Sequence, residues 1–287
     1  MKERETQDKK SNNIFIFQGC LEKKVISAYN IYVLFLTFFK RCIMNFTKYN
    51  ISTDSTVKYD VGLRSYMLQI FNFMTMALVI TGITSFYASS EAFMSLMMTK
   101  SASGYGISAF GWIVQLSPLA MVLFLSAKLQ SMSLQTAKLC FWGYSILMGL
   151  SLGPLFYQYT GESIARTFFI TASVFGAMSI YGYTTKKDLT GFGSFLMMGV
   201  FGILIASLIN IFLKSSALSF TVSLIGVLVF TGLTAYDVQK IKRIYTHSGS
   251  VDKDQSTKMA IYGALTLYLD FINLFIMLLR FTGTRRD

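Results

Sequence analysis

Six long stretches of this chain contain no charged residue, and this spacing restricts the possible folds more than any other feature. The stretches lie between residues 64 and 237, and each is 19 to 27 residues long. A helix needs about 20 apolar residues to cross the hydrocarbon core of a bilayer. A seventh candidate, Met259 to Leu279, is interrupted only by Asp270. The stretches lack the alternation of membrane β-strands, so we predict an all-α membrane protein with seven transmembrane helices.

The composition supports this fold class and argues against the others. The chain is 53% hydrophobic and 14% charged, whereas soluble domains are about 25% charged. A soluble globule of this length has too little interior to hide so much apolar surface. Three cysteines in 287 residues do not make a disulfide scaffold. The net charge of +12 lies largely in short loops, where it fits anionic lipid better than nucleic acid.

The distribution of Lys and Arg predicts the orientation in the membrane. With a cytoplasmic N-terminal side, twelve of these residues from Lys48 onward lie inside and six lie outside. If the last segment dipped into the membrane and returned, the ratio would be fifteen to three. Charge therefore favours re-entry and length favours a full span, and we predict the span. The sequence shows no cleavable signal.

The chain divides into four predicted parts. Residues 1–43 are expected to lie outside the fold, as an upstream translation product or an interfacial appendage. Residues 44–65 form a cytoplasmic segment, 66–281 the seven-helix domain, and 282–287 a C-terminal tail. The longest connection within the domain is a polar loop from about Lys240 to Lys258.

Asp270 is the most informative residue, because it lies near the middle of the last span. A central Asp costs about 2.5–3.5 kcal/mol on insertion scales, and such residues commonly face the bundle interior and have a function. The alternative is a protonated Asp that only hydrogen-bonds a neighbouring helix. Asp237 ends the sixth span, and a ten-residue connection would set both carboxylates at the same depth, about 16 Å from the loop. Two close carboxylates do not both ionise cheaply, so the pair predicts a pH sensor, a proton relay or a cation site.

Other residues in the predicted spans have expected roles of their own. Asn273 lies three residues after Asp270 on the same helical face, where its amide can donate to the carboxylate. Arg280 lies near the end of the same span, and the alternative for it is a snorkelling interfacial residue. Gly149 and Gly153 form a small-xxx-small pair that predicts close helix packing.

Several chemistries have no support in the sequence. There is no G-x-x-x-x-G-K-[ST] loop for a nucleotide. The only histidine, His247, lies in a predicted loop, so multi-histidine metal sites are excluded. No nucleophile–base arrangement is visible. We therefore predict a protein that is not an enzyme and carries no cofactor.

Four short motifs occur in order along the hydrophobic segments. They are Tyr59–Arg64, Thr185–Leu189, Leu233–Ile241 and Tyr268–Phe275. Together they resemble the bacterial branch of the Bax inhibitor-1 family, over residues from about 59 to 280. This resemblance, together with the absence of a cleavable signal, implies a bacterial inner membrane.

The resemblance implies a fold and a function. It implies seven helices with the last one central, and a calcium-permeable leak whose conductance depends on pH. The family's paired aspartates match Asp237 and Asp270, and we count Tyr236, Asn273 and Arg280 as supporting residues. Arg280 matches a basic residue that latches to an acid near the second helix in some members. This chain departs from that pattern, because its second span contains no acidic residue.

Two functions from different classes follow. The first is a passive, pH-sensitive cation leak in which Asp237 and Asp270 bind Ca²⁺ weakly and transiently, as permeation requires. Its partners are the lipid bilayer, Ca²⁺ and protons. The second is a membrane-embedded regulator that binds a membrane-bound ATP-dependent protease, in which case Asp270 is structural.

Overall fold

The computed structural model describes residues 61–101, 104–129, 131–247 and 252–286. Residues 1–43, and 44–60 of the predicted cytoplasmic segment, lie outside this part of the chain. The elements in chain order are α1 (Val61–Ala88), α2 (Glu91–Met97), β1 (Met98–Ser101), β2 (Gly104–Ile107), α3 (Ala109–Lys128), α4 (Leu134–Gln158), α5 (Gly161–Thr184), α6 (Thr190–Leu213), α7 (Ser216–His247) and α8 (Lys253–Thr282). Within the described residues, seven of these helices are long and apolar enough to cross a membrane, as predicted.

The last helix, α8, forms the centre of the bundle. Of its most apolar 18-residue window, 94% is buried inside the protein, against 22–56% for the corresponding windows of the other six. It packs against α1, α4, α5 and α7. The outer helices bury one face and expose large apolar side chains on the other, as lipid-facing helices do. The predicted arrangement with a central last helix is therefore confirmed.

Small residues bring α1 and α4 close together. A Cβ atom at Gly149 would overlap the Thr84 side chain and the Thr81 carbonyl, and one at Gly153 would lie 2.7 Å from the Cβ of Ala88. The two backbones therefore approach as closely as glycine allows. This confirms the packing role predicted for the glycine pair.

We call the end of the bundle at which α1 begins the proximal end, and the opposite end the distal end. At the distal end, the connection between α1 and α3 contains the short helix α2 and an antiparallel hairpin that pairs Met98 with Ile107. The sequence did not predict this hairpin, because residues 101–107 carry no charge and belong to the uncharged stretch that marks the second span, which was expected from about Gly106 to Ser126. The span begins instead at Ala109, where Ser108 caps the helix by accepting from the amide of Gly111.

The polar loop predicted from Lys240 to Lys258 is mostly helical in the structure. Helix α7 continues to His247, and α8 begins at Lys253 after Asp252 as its N-cap. The extended end of α7 has packing partners, because Tyr245 stacks on Tyr66 of α1 with ring centroids 4.7 Å apart. The loop predicted from the polarity of residues 240–258 is therefore wrong over most of its length. Its residues form helix because they pack against other parts of the protein.

The C-terminal tail lies at the distal end, beside the turn between α4 and α5. The amide of Thr160 donates to the carbonyl of Thr284 at 3.0 Å, and the amide of Arg286 donates to the carbonyl of Gln158 at 2.9 Å. Because α8 runs unbroken from the proximal end to this tail, the last segment passes through the whole bundle and does not fold back. The structure therefore favours the predicted full span over re-entry.

Candidate functional site

Asp237 and Asp270 lie inside the bundle on two neighbouring helices. Asp237 is 1% exposed and Asp270 is 0% exposed. Helices α7 and α8 are antiparallel and packed together. The fold thus buries both predicted site residues, one on the central helix and the other on a helix that contacts it.

Two close contacts fix the register of α7 against α8. Gly226 of α7 packs on the side chain of Met277, and Gly263 of α8 packs on the side chain of Ile241. On this register the two aspartates differ in depth by about one helical turn, roughly 5 Å along the axis. Both aspartates were predicted to lie at the same depth, because the connection between the two helices was expected to be about ten residues long. In the structure α8 starts six residues earlier than Met259, at Lys253.

The three supporting residues lie in different places. Asn273 is fully buried on α8, three residues beyond Asp270. The ring of Tyr236 packs over Gly193 of α6, where a Cβ atom would overlap it. Arg280 lies ten residues beyond Asp270, about 15 Å along the helix, so it belongs to the distal end rather than to the aspartates.

Arg280 lies near the turn between α4 and α5, where its charge acts on Tyr159. Burial raises the pKa of Tyr159, and the charge of Arg280 offsets part of that rise. The second span, α3, supplies no acidic residue for the latch that the family resemblance implies. Arg280 therefore lies at the distal end, close enough to Tyr159 for its charge to act on the phenol.

The Tyr268 side chain also makes a polar contact on the central helix. It lies about 200° around α8 from Asp270, because the two residues are two positions apart. The Thr81 hydroxyl donates to the Ser145 carbonyl at 2.9 Å, and it lies 2.7 Å from the Tyr268 hydroxyl. Thr81 has one hydroxyl hydrogen, so Tyr268 is the donor in the second bond. These bonds join α8 to α1 and α4. These bonds could not be predicted from the sequence, because a tyrosine in an apolar helix does not reveal its partner.

Replacing Tyr268 with Phe removes this link and leaves the bond from Thr81 to Ser145 in place. Hydrogen bonds between membrane helices contribute about 0.6 kcal/mol on average. We expect Tyr268→Phe to lower the free energy of unfolding in detergent by about that amount. Replacing the exposed Tyr87 with Phe is the matched control and should leave stability unchanged. An equal loss in both variants would contradict the role of this bond.

The site offers a cation few ligands. Calcium prefers six to eight oxygen ligands, and among the described residues no group of three or more His, Cys, Asp or Glu side chains lies together. Two carboxylates can attract a divalent cation but do not enclose it. Two carboxylates therefore suit a divalent cation that binds briefly better than one that stays bound.

Comparison with known proteins gives the family. The sequence model described as "Inhibitor of apoptosis-promoting Bax1" matches residues 63–287. The chain belongs to the Bax inhibitor-1 family. This family member is 48% identical over 235 residues to the inner membrane protein YbhL of Escherichia coli K12, covering 82% of this chain and 97% of YbhL.

Two further relatives are similar to most of the chain. The Rickettsia prowazekii protein RP147 is 49% identical over 246 residues, covering 85% of this chain and all of that protein. A membrane protein of Streptococcus pyogenes serotype M1 is 34% identical over 228 residues, covering 78% of this chain and 94% of the relative. The predicted family is confirmed. The names of the Escherichia coli and Streptococcus pyogenes relatives, together with the seven apolar helices, identify this family member as a membrane protein.

Proposed function

We propose that this protein is a passive, pH-sensitive cation leak with Ca²⁺ as the permeating ion, in which Asp237 and Asp270 are the pH-sensing and ion-pathway residues. One observation carries the proposal: two ionisable carboxylates are buried on packed antiparallel helices, one of them the central helix. Such groups are expensive in a membrane and mark ion or proton pathways when they face a bundle interior. The Bax inhibitor-1 membership of the chain supports the same assignment.

The proposed mechanism depends on the charge of the pair. When both carboxylates are ionised, they repel each other and attract a divalent cation. When one is protonated, the charge falls and a hydrogen bond between the acids becomes available, which changes the contact between α7 and α8. Weak binding lets the ion leave again, as conduction requires. No covalent chemistry and no cofactor takes part.

The proposed orientation has the proximal end in the cytoplasm of a bacterium and the distal end outside the inner membrane. Basic residues support it, because the connection between α5 and α6 contains Lys186 and Lys187, and the proximal part of α7 contains Lys240, Lys242 and Arg243. The distal α6–α7 turn contains only Lys214.

Calcium flux into dye-loaded proteoliposomes at several pH values tests the proposal. We expect flux above that of empty liposomes, varying with pH along a titration curve. Flux that is absent at every pH would contradict the leak. It would favour the second function, a regulator of a membrane-bound ATP-dependent protease, for which co-purification from native membranes is the direct measurement.

A further inference from the structure

Two threonines lie beside the aspartates on α7 and α8. Thr234 is three residues before Asp237 on α7, and Thr266 is four residues before Asp270 on α8. Side chains at these spacings lie on the same side of a helix. Thr234 is 0% exposed and Thr266 is 1% exposed. Each aspartate therefore has a buried hydroxyl group one turn away on its own helix.

The register of α7 against α8 also sets each threonine across from the aspartate of the other helix. The two glycine contacts that fix this register place Thr266 level with Asp237, and Thr234 level with Asp270, to within about 1.5 Å along the axis. The interface therefore has two levels about one helical turn apart, and each level carries one carboxylate and one hydroxyl group. We call Thr234, Asp237, Thr266 and Asp270 the polar quartet.

Apolar contacts bound the polar quartet on both sides. The contact of Gly263 with Ile241 lies on its proximal side, and the contact of Gly226 with Met277 lies on its distal side. A Cβ atom at Gly226 would lie only 2.8 Å from the Met277 sulfur. The polar quartet therefore occupies a short stretch of the interface between two places where the helices touch.

Both hydroxyl hydrogens of the polar quartet are used within their own helices. Thr234 Oγ1 donates to the Phe230 carbonyl at 2.9 Å, and Thr266 Oγ1 donates to the Tyr262 carbonyl at 2.9 Å. A threonine hydroxyl has one hydrogen to donate and two lone pairs on its oxygen. Towards any further neighbour, each oxygen can therefore act only as an acceptor or as a ligand of a cation. An anion finds no donor in these hydroxyl groups.

Neutral oxygen ligands suit a cation that passes through a site. Calcium takes about six to eight oxygen ligands, and two carboxylates have only four oxygens between them. A hydroxyl oxygen can replace a water of the hydrated ion without adding negative charge. The ion is then bound well enough to enter and weakly enough to leave.

We propose that Thr234 and Thr266 are cation ligands, which act with Asp270 and Asp237 at the two levels of the polar quartet. This inference rests on the proposed cation leak and adds the neutral part of its ligand set. An ion at either level meets one carboxylate and one hydroxyl oxygen. Binding is thereby divided between two weak positions, as conduction requires.

Binding of Mn²⁺ to the purified protein in detergent tests these ligands without a flux measurement. Mn²⁺ prefers the same oxygen ligands as Ca²⁺, and electron paramagnetic resonance measures its free concentration. The binding that Asp270→Asn removes defines the site. Thr234→Val and Thr266→Val exchange the hydroxyl for a methyl group. Each should raise the Mn²⁺ dissociation constant about tenfold, as expected when a charged group loses one polar partner. Serine at either position keeps the oxygen and should bind as the wild type does.

Thr171→Val is the matched control. Thr171 is a fully buried residue of α5, and its hydroxyl also donates to the carbonyl four residues earlier, at 2.7 Å. Its replacement removes the same kind of local bond but no oxygen of the polar quartet, so Mn²⁺ binding should be unchanged. An equal loss in Thr171→Val would overturn the two ligands. So would wild-type affinity in both valine variants of the polar quartet, or Mn²⁺ binding that does not depend on Asp270.

Calcium flux separates this inference from the leak on which it rests. At calcium concentrations low enough for entry to limit the flux, Thr234→Val and Thr266→Val should each lower the initial rate several-fold. The serine variants and Thr171→Val should conduct as the wild type does. Wild-type rates in both valine variants would overturn the two ligands and leave the leak standing. If the wild type carries no flux at any pH, the proposed leak fails, and the Mn²⁺ measurement alone decides on the threonines.

Discussion

Replacing Asp270 with Asn is expected to flatten the pH dependence of the calcium flux. The amide occupies the same volume as the carboxyl but does not titrate, so the pair can no longer change its charge by two protonation steps. Asp270 is fully buried on the central helix, and its replacement removes one of the two carboxylates. We expect the ratio of the fluxes at alkaline and acidic pH to collapse towards unity. The measurement is flux into dye-loaded proteoliposomes over a pH series beside the wild type.

Asp237→Asn should have the same effect, because titration of a coupled pair belongs to both members. Glu162→Gln is the matched control, since it replaces an exposed acid in the first turn of α5. It should leave the pH profile unchanged. Wild-type pH profiles in both aspartate variants would rule out the carboxylate mechanism, whatever the size of the flux.

The spans and the family were predictable because both depend on residues that are close in sequence. A bilayer demands about 20 consecutive apolar residues, so gaps between charges such as Arg64 and Glu91 mark helices directly. The burial of Asp270 was predictable for the same reason, since a mid-span carboxylate must face the bundle. These inferences need no knowledge of which helices touch.

The features that were missed depend on contacts between distant residues. Gln239 and Arg243 form hydrogen bonds with residues 187–190, in the connection between α5 and α6. These bonds join positions about fifty residues apart, and the identity of neither residue predicts its partner. For the same reason, the helical end of α7 was mistaken for loop. Its polar residues favour helix only because Tyr66 and that connection lie beside them. The depth of Asp237 relative to Asp270 was misjudged because it depends on where α8 begins, which is Lys253 and not Met259.

Gly182→Ala is expected to destabilise the protein, although alanine is the better helix former. The added methyl group would overlap the backbone of Ala235, and its nearest neighbours are the oxygen, the carbonyl carbon and the Cα atom of that residue. A backbone does not rotate away as a side chain does, so α5 and α7 must separate. Overpacking of this kind costs about 1–3 kcal/mol. The free energy of unfolding in detergent is the quantity to measure.

Gly176→Ala is the matched control, six residues earlier on the same helix. A Cβ atom there has no neighbour within 4 Å, so only helix propensity acts, and alanine is favoured over glycine by about 1 kcal/mol. The two substitutions are therefore expected to change stability in opposite directions. Because the effect of helix propensity is the same in both, the difference between them isolates the contact between Gly182 of α5 and Ala235 of α7. A stability gain in both variants would mean that α5 and α7 do not pack closely at Gly182.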